Sequence, residues 1–481
     1  MMSKENLKRL LIKNEIMIIL ALYTISALLS NFTNSYIYYY ISFIGICFYK
    51  TIMYKMDNQR SLMSTIVSIL IYSSILPDNY TIIFISGLIL IYLVYYYKNN
   101  ILTRICSNKK LIIVIIIYLS VNVFMNKVGY IKIGFFILFN FTFILYFVIF
   151  KNSYTLNIER KYIEYDIISI IFIQLVATIF NIIFNYTLII KDFAGDWSIG
   201  TFGTNQGNML IITMALLTIL YINIYFDTRD KKKLYLAIIT FSIAMTTFSL
   251  VNIIILIIIL TINVIMKLHL NKNKRVLVKI FLMSISIMAC FYVVSPQWVK
   301  NDIKNFTNIN YLRHRVKKID AYEETFIKIP QKDFKFMIIG NGMGNYSSRA
   351  ALTTTGEYIG SYNLIFNPEI SYYTKKVVVD NMYSEYAKKN QHIYASVLGT
   401  PLSSWISLMG EFGIIGILVI IYCTFKLLKE MNSSQRYLLS YFLLICIFDN
   451  WVEFAKIGLI VWISIYVLAK KEEWKYFERK K

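Results

Sequence analysis

Fourteen apolar segments follow one another along this chain, centred near residues 23, 42, 69, 88, 118, 141, 175, 217, 241, 258, 286, 416, 443 and 462. Each is long enough, or nearly so, to cross a bilayer. Inside hydrocarbon every backbone N–H and C=O needs a partner on the protein itself, so segments of this kind fold as helices. The expectation is an all-α polytopic membrane protein with about 12–14 transmembrane helices and one large extracytoplasmic loop near the C-terminus. A hydrophobic content of 57% with only 16% charged residues excludes an ordinary soluble fold, which needs more charge to cover its surface. The short pair 234–249 and 250–266 is the least regular division and also reads as one bent re-entrant element. No cleavable signal peptide is evident, because the first apolar span follows a basic head and lacks a small-residue cleavage site.

The net charge of +23 suggests a nucleic-acid partner until its distribution is read. With the N-terminus inside, the eight cytosolic segments hold 32 of the 50 Lys and Arg. The short external turns hold four, Lys127, Lys132, Lys191 and Lys456, and the remaining 14 fall in the long loop. Short loops set orientation while long ones cross largely regardless of charge. Both termini are therefore expected in the cytosol and the long loop outside, with membrane lipid and not nucleic acid as the partner of the basic residues. The five cysteines lie in or beside spans at no zinc-ligand spacing and read as apolar filler.

Four regions follow. Residues 1–162 form a transmembrane scaffold with no chemistry of its own. Residues 163–294 are central spans with a second external loop at 190–208, too long and too rich in Gly, Asn and Asp to be a minimal hairpin. Residues 295–402 are the polar loop, and 403–481 the last spans and a basic tail. Within the loop, Lys300–Lys328 carries apolar residues at helical spacing and reads as an amphipathic helix, broken at Pro330-Gln331-Lys332-Asp333. Residues 350–380 read as irregular, and Asp380–Val397 as a second helix.

Chemistry has few places to sit. Gly340, Gly342 and Gly344 form a turn that either cradles an anion with its N–H groups or is simply a tight turn. Arg313 and Arg315 flank His314; an Arg fork suits a phosphate, and a solvated basic face is the plainer alternative. His314 and His392 are the external histidines and candidate bases. Glu411 stands about two helical turns into a span beside Gly410, Gly413 and Gly416, where an ionisable group is expensive unless it meets a partner or a polar cavity. The loop has no paired carboxylates of glycosidase character and no Asp-x-Asp metal motif, and no cofactor is implied.

In order along the chain come Arg313 and Arg315, then Ile338-Ile339-Gly340-Asn341-Gly342-Met343-Gly344-Asn345-Tyr346, then Pro401-Leu402-Ser403-Ser404 leading to Gly410-Glu411-Phe412-Gly413-Ile414-Ile415-Gly416. That order resembles the O-antigen polymerase/ligase superfamily of bacterial cell-envelope polysaccharide assembly. Gly200-Thr201-Phe202 with Asn205, and Thr247-Phe248-Ser249, resemble its shorter external turns. The resemblance covers about residues 190–420. It implies a metal-independent, inverting-type glycosyltransferase of the bacterial cytoplasmic membrane. Such an enzyme polymerises polyprenyl-diphosphate-linked oligosaccharide repeats into O-antigen or capsular polysaccharide, with a chain-length regulator protein as a further candidate partner. On that resemblance His392, His314 and Glu411 are the catalytic candidates. Arg315, Arg313, Gly340, Gly342, Gly344, Asn345, Ser403, Ser404 and Asn205 are the candidates for binding diphosphate or sugar. Where ligases are expected to need Pro-His-Asn, this chain has Pro401-Leu402-Ser403, which ranks a polymerase ahead of a ligase. A lipid-linked oligosaccharide flippase is the non-enzyme alternative; it would be expected to hold its cations inside the bundle.

Overall fold

A computed structural model describes residues 14–57, 60–105, 109–191, 198–203, 206–269, 286, 288–305, 307–308, 310, 313, 318–353, 370–379 and 403–469. Among them helix accounts for 83% and no strand occurs. The helices are α1 (Glu15–Thr33), α2 (Ile37–Met56), α3 (Leu62–Ser73), α4 (Tyr80–Ile105), α5 (Lys109–Asn126), α6 (Tyr130–Lys151), α7 (Arg160–Lys191), α8 (Gly207–Thr228), α9 (Lys231–Met245) and α10 (Leu250–His269). The polar loop contributes α11 (Gln297–Lys304), α12 (Lys318–Glu323), α13 (Phe334–Ile339) and α14 (Arg349–Thr353); α15 (Ser404–Glu430), α16 (Ser433–Phe448) and α17 (Ala455–Leu468) follow.

Helices α1, α6, α8, α10 and α15 and residues 160–185 of α7 are long and apolar enough to cross a membrane. Shorter apolar helices lie within α3, α4, α5, α16 and α17. The chain is an all-α multi-pass membrane protein. A described helix stands at each expected centre; around residue 286 it is recorded at 286 and 288–294. The doubtful pair resolves into α9 and α10, separated by a tight turn in which Phe248 takes φ 52°.

Helix α8 is the axis of the bundle. It has no polar stripe, and Met209–Tyr221 are buried throughout. A helix apolar all round is stable only when surrounded, and α8 packs against α9, α10, α16 and α17. Helix α1 lies on α7 and α2, and α17 on α6. The outward faces stay apolar: Ile113, Val114, Ile116 and Ile117 of α5 are exposed, as lipid contact permits.

The loop builds a small core of its own from Ala321, Ile329, Phe336, Tyr346, Leu352, Val377 and Val378, joined by Ile406 of α15. The single amphipathic helix expected over Lys300–Lys328 is not continuous. Helix α11 stops at Lys304, where Asn305 donates its side chain back to the Asn301 carbonyl (3.0 Å) and begins a turn closed from Asn308. Asparagine competes in this way with the helical ladder. A π-helical turn, Glu324–Lys328, follows α12 and passes into Ile329–Lys332. Pro330 is accommodated there at the first turn. The break expected at 330–333 falls on Asp333, whose carboxylate caps α13 by accepting from the Phe336 N–H (3.0 Å). The helix expected over Asp380–Val397 lies outside the described residues.

At the end of the bundle away from the loop, four charges are packed inside. Lys50 donates to Glu15 (2.7 Å) and to Asp166, while Arg60 reaches Glu15 (2.9 Å) and lies over the Tyr162 ring (4.2 Å). Ser68 and Tyr72 complete the shell of Asp166. These groups join α1, α2, α3 and α7. Lys50 and Arg60 therefore do not face cytosol, as counting cations by segment would place them; each is 4% exposed or less. Removing one member leaves its partner buried and uncompensated, which costs about 3–5 kcal/mol. Asp166→Ala should accordingly lower the temperature at which the detergent-purified protein loses monodispersity. An unchanged midpoint would show that the network does not hold these helices together.

Candidate functional site

Two helices break where they meet. Helix α13 ends at Gly340 (φ 71°), and α15 is interrupted at Gly413 (φ 61°). A Cβ at Gly340 would lie 2.4 Å from the Glu411 carbonyl carbon, and one at Gly413 would lie 2.5 Å from that of Ile338. The two backbones touch, and only glycine permits both the contact and the left-handed φ. The break leaves the carbonyls of residues 410–412 without helical partners, and such groups cannot stay unpaired in a buried place. The Gly410 and Glu411 carbonyls accept from Asn341 N–H (2.7 Å) and Gly342 N–H (3.2 Å), Asn122 of α5 donates to Glu411 (3.0 Å), and the Tyr118 hydroxyl donates to Phe412.

The Glu411 side chain, 1% exposed, then closes the turn. Its carboxylate accepts from the N–H groups of Gly344 (2.9 Å), Ser348 (3.2 Å) and Tyr346 (3.4 Å). Met343 N–H goes to Asn122 (3.0 Å), Asn345 N–H to Gly342, and Gly340 N–H to Phe336. Every backbone N–H from Gly340 to Tyr346 is thus engaged within the protein. The glycine turn does cradle an anion, and the anion is the chain's own carboxylate. Reading Gly340, Gly342 and Gly344 as ligands for a substrate phosphate is corrected here, because their N–H groups are engaged within the chain; Glu411, read as either a structural partner or an acid or base, has the backbone of this turn as its partner.

Other expected site residues are also occupied. Asn345 accepts from Lys132 (2.6 Å) and donates to the Asn341 carbonyl (3.0 Å). Ser403 caps α15 by accepting from Trp405 and Ile406 N–H, and Ser404 donates to Asn450 (2.9 Å). Arg313 stands half exposed, paired with Glu323 (2.8 Å) and Asp320 (3.8 Å). His314, Arg315, His392 and Asn205 lie outside the described residues.

Immediately after the glycine turn the structure gathers residues that motif reading passed over. The Arg349 guanidinium lies 4.7 Å from the ring centres of both Phe139 and Phe454. Its backbone N–H donates to the Glu453 carboxylate (2.7 Å) and its Nη1 reaches the Glu453 carbonyl (3.5 Å). Lys456, in the next helical turn, is buried, donates to the Leu76 carbonyl and stands over the Phe202 ring (5.4 Å); the charges that act on it are Asp78 and Arg349. Glu453 occupies the connector between α16 and α17, outside the spanning helices. Burial, with the neighbouring Glu411 charge adding to it, pushes its carboxyl up to about 8. The signal for this cluster was available: a carboxylate and a lysine three residues apart interrupt two apolar runs at Trp451-Val452-Glu453-Phe454-Ala455-Lys456.

A void of about 340 Å³ lies elsewhere, between α6, α15 and α17 at the far end, lined by Phe143, Phe147, Ile420, Leu427 and Trp462. It holds none of the clustered groups, and its nearest lining residue on α6, Phe143, stands one helical turn from Phe139. Comparison with family models, with curated proteins and with solved structures returns no match.

Two outcomes follow from this geometry. Glu411→Gln keeps the shape but turns an NH2 group toward backbone donors, at a cost of about 1–3 kcal/mol. The variant should insert in the membrane yet expose the loop to trypsin at Lys335 and Arg349 sooner than wild type; equal digestion rates would overturn the structural role. Glu453 supplies a pH test. Its folded value is raised above the ordinary 4.5, so its contribution to stability is full below about 4.5 and lost as pH rises through about 8. Between those limits the melting midpoint of wild type should fall relative to that of Glu453→Gln, and parallel profiles would contradict the assignment.

Proposed function

We propose that this chain is a membrane glycosyltransferase that polymerises polyprenyl-diphosphate-linked oligosaccharide repeats into O-antigen or capsular polysaccharide. It would act on the outer face of the bacterial cytoplasmic membrane, with both termini cytosolic and a chain-length regulator as a further partner. The observation that carries the reading is Arg349, a cation fixed between two aromatic faces where the polar loop meets the bundle, with Lys456 behind it. Diphosphate recognition is assigned to this pair together with Arg315, and ahead of Arg313, whose fork is already engaged with carboxylates.

In the reaction an acceptor hydroxyl attacks C1 of the donor sugar and the C1–O bond to phosphate breaks. The electron pair leaves with the diphosphate. That leaving group needs charge stabilisation more than protonation, and a guanidinium provides it through two parallel hydrogen bonds. The hydroxyl proton goes to a base, for which His392 is proposed, with His314 second. Glu453 positions Arg349 through the main chain; its raised pKa leaves it mostly protonated near neutral pH, so it does not cancel the arginine charge.

A ligase that moves a finished glycan is the runner-up among enzymes. The buried Lys456, Lys50 and Arg60 favour a second, non-enzymatic reading, a flippase or transporter for the same lipid, since such a protein would carry its cations inside the bundle. A deletion strain separates the three. Loss of long chains with single-repeat material retained marks a polymerase, long chains stranded on carrier lipid a ligase, and absence of both surface products a flippase.

Arg349→Lys keeps the charge and the backbone bond to Glu453 but not the planar fork. It should reduce polymer formation on the order of tenfold or more at unchanged membrane abundance. Wild-type chain length with Arg349→Ala would remove the arginine from the site.

A further inference from the structure

Beside the Arg349–Lys456 pair lies a shelf made from the connector between α3 and α4. Lys456 donates to the carbonyl of Leu76, and Gln206 donates through Nε2 to that of Pro77 (3.0 Å). Gly203 (φ 93°) closes over Pro77, a Cβ there being 3.3 Å from the proline ring. Asp78 takes the hydroxyl of Tyr40 and both the N–H (2.7 Å) and the hydroxyl (2.9 Å) of Thr81. Residues 76–78, 203, 206 and 456 are therefore in contact, and the carbonyls of Leu76 and Pro77 and the carboxylate of Asp78 are satisfied.

Two atoms are not. Asn79 Oδ1 and Gln206 Oε1 are buried and have no donor among the described residues. The residues are only 7% and 9% exposed. The bond from Gln206 Nε2 to the Pro77 carbonyl fixes which way that amide points, since a flip would set two acceptors against each other. Buried acceptors left unpaired are costly, and these two belong to one connector, residues 76–79, and to the glutamine bonded to it, with Lys456 on the same connector; they mark a place where donors arrive. A fully ionised phosphate brings acceptors only, and Lys456 donates to the Leu76 carbonyl and to neither of these two oxygens. Hydroxyl groups fit.

We infer that Asn79 and Gln206 form a hydroxyl-recognition subsite for the sugar that adjoins the diphosphate, so that one ligand sets its anionic part against Arg349 and Lys456 and its polyol part on this shelf. The inference rests on the proposed reading of the site. It adds the specificity-determining residues: acceptor atoms that select a sugar by where its O–H groups point.

Full-length protein in lipid nanodiscs would be tested with two probes. One is the lipid-linked glycan that accumulates in a strain deleted for this chain, and the other is undecaprenyl diphosphate without sugar. Wild type should bind the glycan lipid more tightly than the bare lipid. Asn79→Leu, which breaks no hydrogen bond among the described residues, should weaken glycan-lipid binding about fivefold to tenfold and leave bare-lipid binding unchanged. Gln206→Met should do the same. The melting midpoint of Asn79→Leu should equal or exceed that of wild type, because an unpaired buried polar group is removed. If both variants bind the glycan lipid as wild type does, the acceptors hold water only and the subsite is overturned while the cation pair stands. If no glycan lipid accumulates, or wild type binds neither probe, the reading beneath it fails.

Discussion

The carboxylate of Glu411 organises the half of the molecule that faces the loop. It stands on a membrane helix, yet the N–H groups it binds belong to Gly344, Tyr346 and Ser348, more than sixty residues earlier in the chain. A buried carboxylate is tolerated when several backbone donors point at it, and a run of N–H groups curled by left-handed glycines is tolerated when an anion fills it. Each requirement is met by the other. Once the turn is closed on Glu411, the Tyr346 ring must lie on Gly410, where a Cβ would come within 1.8 Å of it. The Tyr346 hydroxyl then pairs with Thr325 (2.7 Å), and Phe336 packs on its ring at 5.5 Å. The small core of the loop is thereby hung from α15, and Arg349, three residues beyond Tyr346, is delivered to Glu453.

Much of this was legible in sequence, because apolar runs in a membrane leave little choice of structure. The helix at each expected centre follows from backbone hydrogen bonding in hydrocarbon, and so does the position of the turn between α9 and α10. The glycine turn and Glu411 were both visible as unusual. Their relation was not, since spacing shows that Gly340–Gly344 can hold an anion but not whether that anion comes from outside. Asn122 is a single amide in a long apolar run, and only the breaks at Gly340 and Gly413 explain it: it donates to the carbonyls of Ile339 (2.6 Å) and Glu411 (3.0 Å). In the same way Lys50 and Arg60 look like cytosolic cations until Glu15 and Asp166 are brought to them from other helices.

The two charged clusters differ in what they leave over. At the far end, Lys50 and Arg60 meet Glu15 and Asp166, hydroxyls complete the shell of Asp166, and Arg60 Nε and Nη1 have no acceptor among the described residues. Two cations against two carboxylates make a balanced set, whose consequence is the relative placement of four helices. Near the loop the balance is less complete. Glu453, which faces Arg349, has its carboxyl raised to about 8 and so carries little charge at neutral pH, while aromatic faces contact the guanidinium without neutralising it.

That difference bears on why an arginine would sit at this position and not a lysine. Phe139 and Phe454 each hold the guanidinium at 4.7 Å, an arrangement in which a flat cation gains from both rings. Its main chain is tied by the Glu453 carboxylate, and its Nη1 reaches the Glu453 carbonyl. Most of the freedom that an arginine side chain loses on binding an anion is then already lost on folding, so the cost falls on stability and not on recognition. The residues that anchor it come from α6 and from the connector before α17, while the arginine itself belongs to the loop. Arg349 follows three residues after Tyr346, whose N–H Glu411 binds, so a short stretch of chain joins the closed turn to the cation. The membrane helix, the loop and the charge they present are in that sense one mechanical unit.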